Sequence, residues 1–115
     1  MLTITVTQNV STTVLSLKGD LDFWSADDLA REVIYLLEEG NQQIVIDLTR
    51  VKNVDLDGAM TLRGLVETTA QNYGSAIKLI VQPGSVACQQ LESYRVVDWA
   101  DCYPEVKHAL ESFFS

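Results

Sequence analysis

The order of apolar patterns predicts an α/β domain with a mixed sheet of four to five strands and about four helices. Three observations carry this expectation. Residues 2–18 read as two adjacent β-rich strands, patterns of helical period then alternate with short apolar runs, and no linker or repeat interrupts them. A hairpin followed by βα units gives a sheet whose later strands run parallel, with helices packed against it.

Each element has its own signal. Leu2, Ile4 and Val6 alternate with Thr3, Thr5 and Thr7, the period of a half-buried strand. Residues 8–11 make a turn, Thr12 to Lys18 form the second strand, and Gly19-Asp20-Leu21-Asp22 breaks the pattern. Ser25 is the expected cap of the first long helix, with Ala26, Leu29, Val33, Leu36 and Leu37 as its buried stripe and Gly40-Asn41 as its stop. The apolar run Ile44 to Leu48 is expected to be a central strand covered on both faces.

An acidic turn, Val51 to Gly58, then leads into a helix from Ala59 to Tyr73, with Leu62, Leu65, Val66, Thr69, Ala70 and Tyr73 on its core face. Ala76 to Val81 reads as a strand, and Pro83-Gly84-Ser85 opens a third helix through about Tyr94. Val96 to Trp99 is a candidate last strand. Pro104 starts a final helix with Val106, Ala109, Leu110 and Phe113 inward.

With 115 residues and 47% apolar side chains, the chain holds one domain, taken as residues 1–115, with one core. A net charge of −8 argues against nucleic acid and anionic membrane surfaces, which call for basic patches. From Asp20 to Asp57 ten acids face three bases; such a surface suits a basic partner, or simply solubilises the fold. No apolar run is long enough to insert in a membrane and no secretion signal opens the chain, so a cytoplasmic protein is expected. Cys88 falls on a helical apolar pattern as a small core residue, and a Cys88–Cys102 disulfide is the poorer expectation in such a chain.

Catalytic and cofactor chemistry find little support, and the chain is expected not to be an enzyme. The single histidine, His108, lies off the core face of the last helix and no serine or cysteine has an evident base. Ligands for a zinc-type site are too few, and no phosphate-binding glycine loop occurs, so no metal and no cofactor are expected. An acidic group of Asp20, Asp22, Asp47, Asp55 and Asp57 raises a magnesium site of the phospho-accepting receiver type. The opening hairpin and the lack of a lysine after the last strand count against it.

Three runs, Leu17-Lys18-Gly19-Asp20-Leu21-Asp22, Ile44-Val45-Ile46-Asp47-Leu48 and Val54-Asp55-Leu56-Asp57-Gly58, together resemble the STAS domain family. That family includes bacterial anti-sigma factor antagonists and the cytoplasmic domains of sulfate transporters. The resemblance implies a regulatory protein-binding module of signal transduction and transcription control. In such antagonists the turn before the second long helix reads Asp-Ser-Ser-Gly, and its second Ser is phosphorylated by a kinase that is itself the anti-sigma factor. Here Asp55 and Gly58 match, Leu56 replaces the first Ser, and Asp57 stands at the phospho-acceptor position.

A serine kinase cannot phosphorylate Asp57. Its single charge imitates part of a phosphoserine, which carries about −1.5 to −2, and this leaves open whether the protein is held in a phosphorylated-like state or is permanently able to bind. Asp57 is also a candidate N-cap, a role compatible with docking. The resemblance implies an anti-sigma factor or related serine kinase-like partner, met by a rim of Asp22, Phe23, Asp55, Asp57, Gly58, Met60, Thr61 and Arg63. Thr61 is a substitute phospho-acceptor or a plain surface residue. Met60, Arg63 and Gly64 are expected to face solvent, and Phe23 and Trp24 to pack over a sheet edge, although an aromatic pair on this rim would be a natural contact hot spot. The alternative role is a small subunit of a membrane transport complex of the lipid ABC type.

Overall fold

The computed structural model describes residues 1–9, 11–96 and 101–113. Its elements are β1 (Leu2–Asn9), β2 (Thr12–Leu21), α1 (Phe23–Glu38), β3 (Gln43–Val54), α2 (Leu56–Thr68), β4 (Ala76–Ile80), α3 (Val86–Ser93), β5 (Asp101–Tyr103) and α4 (Val106–Ser112). The strands form one sheet in the order β1-β2-β3-β4-β5. β1 pairs antiparallel with β2, and every later pairing is parallel. The predicted mixed α/β sheet with four helices is therefore the observed architecture.

Because the parallel strands are added in chain order, right-handed crossovers place α1, α2 and α3 on one face. The main core lies there: Leu15, Leu17, Ile44, Ile46, Leu48, Ile77 and Leu79 of the sheet meet Leu29, Val33, Leu62 and Leu91 of the helices. On the opposite face α4 covers Val14, Val45 and Ile80 with Ala109, and Val106, Leu110 and Phe113 pack beside it. These are the four inward positions expected for the last helix. Beneath that helix Lys78 is buried, its ammonium 4.3 Å from the centre of the Phe113 ring and hydrogen-bonded to Ser112.

Several boundaries differ from the sequence expectation, each for a physical reason. β2 does not break at Gly19 but continues to Leu21 through two shifts of register against β3. Gly19 sits at φ +112°, and a Cβ on it would lie 2.1 Å from the Met1 carbonyl oxygen. It is the irregular step that lets the strand go on. β3 runs on to Val54, and Val51 and Val54 are both buried. The exposed Lys52 and Asn53 resemble a turn in sequence because this tip has solvent on its other side.

The helix after β3 begins at Leu56, not Ala59, and closes in a π-helical turn, Thr69–Tyr73, before Gly74. A π turn holds more residues than an α turn. It swings Ala70 and Tyr73, expected in the core, out to solvent, and leaves Thr69 fully buried. The last helix starts at Val106, two residues beyond Pro104, with Glu105 as the residue before it. Of the candidate strand Val96 to Trp99, residues 97–99 lie outside the described residues, and the strand described is β5.

Candidate functional site

The neighbouring parallel strands β2 and β3 end together, at Leu21 paired with Val54. One residue later each chain enters a helix, so α1 and α2 start side by side on the same rim with their unpaired N–H groups facing out. That geometry calls for acceptors, and the sequence supplies Asp22 and Asp55.

Asp22, not Ser25, is the N-cap of α1. Its Oδ1 accepts hydrogen bonds from the N–H groups of Trp24 and Ser25, both at 3.0 Å, while the Ser25 hydroxyl accepts from the Asp22 N–H. This is a capping box with Ser in the place usually held by Glu. Desolvation, the largest single influence on the Asp22 carboxyl, pushes its pKa up, but the hydrogen bonds from Ser25 and Trp24 and the positive amino terminus together outweigh it and hold the pKa below its ordinary value. A carboxyl whose pKa is lowered by folding stabilises the fold above its unfolded pKa and loses that contribution as pH falls through the folded one. The difference in urea midpoint between wild type and Asp22→Ala is accordingly expected to be largest at neutral pH and to shrink below the carboxylate range, where the protonated carboxyl keeps one accepting oxygen but loses its charge.

Asp55, not Asp57, is the N-cap of α2. Its Oδ1 accepts from the Gly58 N–H at 2.8 Å, and its Oδ2 accepts from the Phe23 N–H of α1 at 3.2 Å. One carboxylate thus joins two helix starts. The Asp55 N–H donates to the Leu21 carbonyl at 3.2 Å, which ties the same residue to the end of β2. From α3 the Gln90 side-chain oxygen accepts from the Val54 N–H at 2.6 Å. Gly58 is buried under this junction, where a Cβ would lie 2.3 Å from the Leu21 carbonyl oxygen.

With Asp55 as cap, Asp57 falls in the first turn of α2, exposed near the positive end of the helix dipole. It lines a groove of about 330 Å³ between the two helices. Phe23, Ala26 and Asp27 form one wall, and Asp57, Met60 and Thr61 the other. Each set is a row of i, i+3 and i+4 positions, the residues of one helix face. The lining carries two carboxylates and no base.

Four of the eight expected rim residues therefore meet in the groove: Phe23, Asp57, Met60 and Thr61. Asp22, Asp55 and Gly58 build it from behind. Arg63 does not join them; it is half-buried further along α2, 3.4 Å from Glu67, and Gly64 is half-buried too. Only Met60 of that trio, at 62% exposure, faces solvent as expected. Phe23 and Trp24 do not pack over a sheet edge. They are 60% and 83% exposed and meet edge to face, ring centres 5.1 Å apart. With the cap placed at Asp22 instead of Ser25, both fall in the outward first turn of α1. Ala26 and Asp27, absent from the sequence reading of the rim, follow from that same shift of the helix start.

The acidic group does not assemble as a whole. Asp47 bonds Thr49 and lines a separate hollow with Thr5, Ser16 and Arg50, and Asp20 accepts from Asn53. Among the described residues no three His, Cys, Asp or Glu side chains are placed to hold a metal ion, and no helix is long and apolar enough to cross a membrane.

A hairpin-led parallel sheet with three helices on one face and two helix starts sharing an acidic rim defines a small mixed α/β domain of recognisable type. The chain belongs to the STAS domain family, whose model matches residues 3–109. No curated protein sequence matches it. Among solved structures, an anti-sigma factor antagonist from Mycobacterium paratuberculosis is 18% identical with a TM-score of 0.88, covering 100% of this chain and 96% of that one. The anti-sigma factor antagonist SpoIIAA of Bacillus, in its unphosphorylated form, is 12% identical with a TM-score of 0.71 over 97% of both chains. A sulfate transporter family protein from Wolinella succinogenes is 16% identical with a TM-score of 0.76, covering 92% of this chain and 87% of that one. At such identities the likeness is one of fold.

Proposed function

We propose that this STAS domain is a regulatory binding module of the anti-sigma factor antagonist kind, acting by docking and not by catalysis. Its partner is a basic, serine kinase-like protein such as an anti-sigma factor, received on the rim around Asp57. The observation that carries this reading is the groove between the starts of α1 and α2, with carboxylates on both walls and Asp57 at its lip. Asp57 occupies the position where family antagonists carry the phosphorylated serine, and being a carboxylate it takes no phosphate from a serine kinase. The switch is therefore fixed in this chain, and the exposed Phe23, Leu56 and Met60 around it offer apolar contact to the partner. The likeness to solved antagonists over nearly the whole chain supports the reading.

The test is Asp57→Ser and Asp57→Ala beside the wild type with the cognate kinase. Asp57→Ser is expected to become labelled by ATP at that serine, and Asp57→Ala to change partner affinity by about tenfold, the effect of one charge at a desolvated contact. If both variants match the wild type, Asp57 is not a switch position. A second reading is a small subunit of a lipid ABC-type transport complex; the likeness of fold to the Wolinella sulfate transporter family protein supports only its coarser part, a STAS domain serving a transporter. It predicts co-purification with transporter subunits that is indifferent to the residue at 57.

A further inference from the structure

Away from the rim, the two cysteines share one place in the fold. The sheet register pairs Cys102 of β5 with Leu79 of β4, and Leu79 is fully buried in the core under α1–α3. Paired residues of a parallel ladder point to the same face, so Cys102 stands on the side of the sheet that α3 covers. Cys88 lies in the first turn of α3, half-buried against that core, and the Ser85 cap fixes its N–H at 3.1 Å. Both cysteines line one cavity of about 280 Å³, walled by Val81, Pro83, Glu92 and Pro104. Both are thiols in the structure.

We propose that Cys88 and Cys102 are a redox modification site, joined by hydroperoxides into a disulfide that ties α3 to the edge of the sheet. The two thiols are unequal in the way such a pair requires. Cys102 is exposed and open to oxidant. Cys88 is half-buried, and burial with the neighbouring Glu92 carboxylate pushes its pKa up, so it stays a thiol while Cys102 reacts. β5 is a three-residue edge strand with a single strand neighbour, so few ladder bonds oppose the small shift that closing the cavity requires.

The steps balance. The Cys102 thiolate attacks the outer oxygen of the hydroperoxide; the O–O bond breaks, the alcohol (water, from hydrogen peroxide) leaves, and Cys102 becomes a sulfenic acid. The Cys88 sulfur then attacks the Cys102 sulfur. The S–S bond forms, the S–O bond breaks, and the hydroxide departs as water with the Cys88 proton; the Cys88 Sγ lies 3.5 Å from Glu92 Oε1, a carboxylate able to accept from that thiol. Two thiols supply the two electrons that reduce the peroxide, and an external dithiol reverses the bond.

The experiment treats the wild type, Cys88→Ser and Cys102→Ser with hydrogen peroxide, then maps peptides without reduction in the presence of a sulfenic-acid trap. The wild-type monomer is expected to lose two hydrogens and give one Cys88–Cys102 linked peptide pair, restored to thiols by dithiothreitol. Cys88→Ser is expected to carry about tenfold more trapped sulfenic acid at Cys102 than the wild type, because the resolving thiol is gone. Cys102→Ser is expected to give little adduct at Cys88. Equal trapping in wild type and Cys88→Ser, or disulfides only between molecules, would overturn the proposal. This inference does not depend on the docking role of the rim.

Discussion

Replacing Gly58 by Ala is expected to destabilise the domain by about 3 kcal/mol, at the upper end of ordinary overpacking. The added methyl would meet three atoms of Leu21, the carbonyl oxygen at 2.3 Å, the carbonyl carbon at 2.9 Å and Cγ at 3.0 Å. Two of these are backbone. They move only if the end of β2 moves, and that carbonyl already accepts the Asp55 N–H. Gly64, two turns on in the same helix, provides the control, since a Cβ there meets nothing within 4 Å. Gly64→Ala is expected to stabilise by roughly 0.5–1 kcal/mol through helix propensity alone. Urea midpoints of the two variants should thus shift in opposite directions. Equal shifts would mean that α2 and β2 do not approach as closely as described.

Asp55→Ala is the second large effect, expected at about 2 kcal/mol: roughly 1 for the lost cap of α2 and roughly 1 for the lost bond to α1. Asp55→Asn separates the two. The amide oxygen can still cap α2 through Gly58, but its NH₂ group then faces the Phe23 N–H, and two donors do not pair. Asn is therefore expected to cost about half as much as Ala. In amide NMR spectra, Ala should shift both the Phe23 and Gly58 resonances, and Asn mainly that of Phe23. If Asn and Ala are equal, the carboxylate does not bridge the helices.

How much of this was legible in the sequence varies along the chain. The stripe Ala26, Leu29, Val33, Leu36 and Leu37 is fully inward as read, because a helix packed on one sheet face leaves only one apolar row to bury. The inward face of α4 was legible for the same reason. The caps were not. Asp22 and Ser25 both suit an N-cap, and only the bonds from Trp24 and Ser25 decide between them. A start three residues earlier carried Phe23 and Trp24 from an assumed edge into solvent and brought Ala26 and Asp27 into the groove. Asp57 lost its capping role to Asp55 in the same way, and its outward place in the first turn followed. The π turn at Thr69 left no trace in the apolar period, since five residues hold too little pattern to reveal one extra residue per turn. Gly58 stood out only as a family match; its steric reason lies in Leu21, thirty-seven positions away in sequence and adjacent in space.

The bond between Gln90 and the Val54 N–H has a kinetic meaning. β4 pairs with β3 only as far as Ile80 opposite Asp47, so beyond that point β3 has β2 on one side and, among the described residues, no strand on the other. At Val54 a glutamine side chain from α3 stands where a neighbouring strand's carbonyl would be. A ladder opens by cooperative fraying of many bonds, whereas this contact opens by one rotamer change at Gln90. On the side of the strand tip away from β2, the lifetime of this bond is thus set by a single side chain of α3, while β2 holds the other side through Leu21.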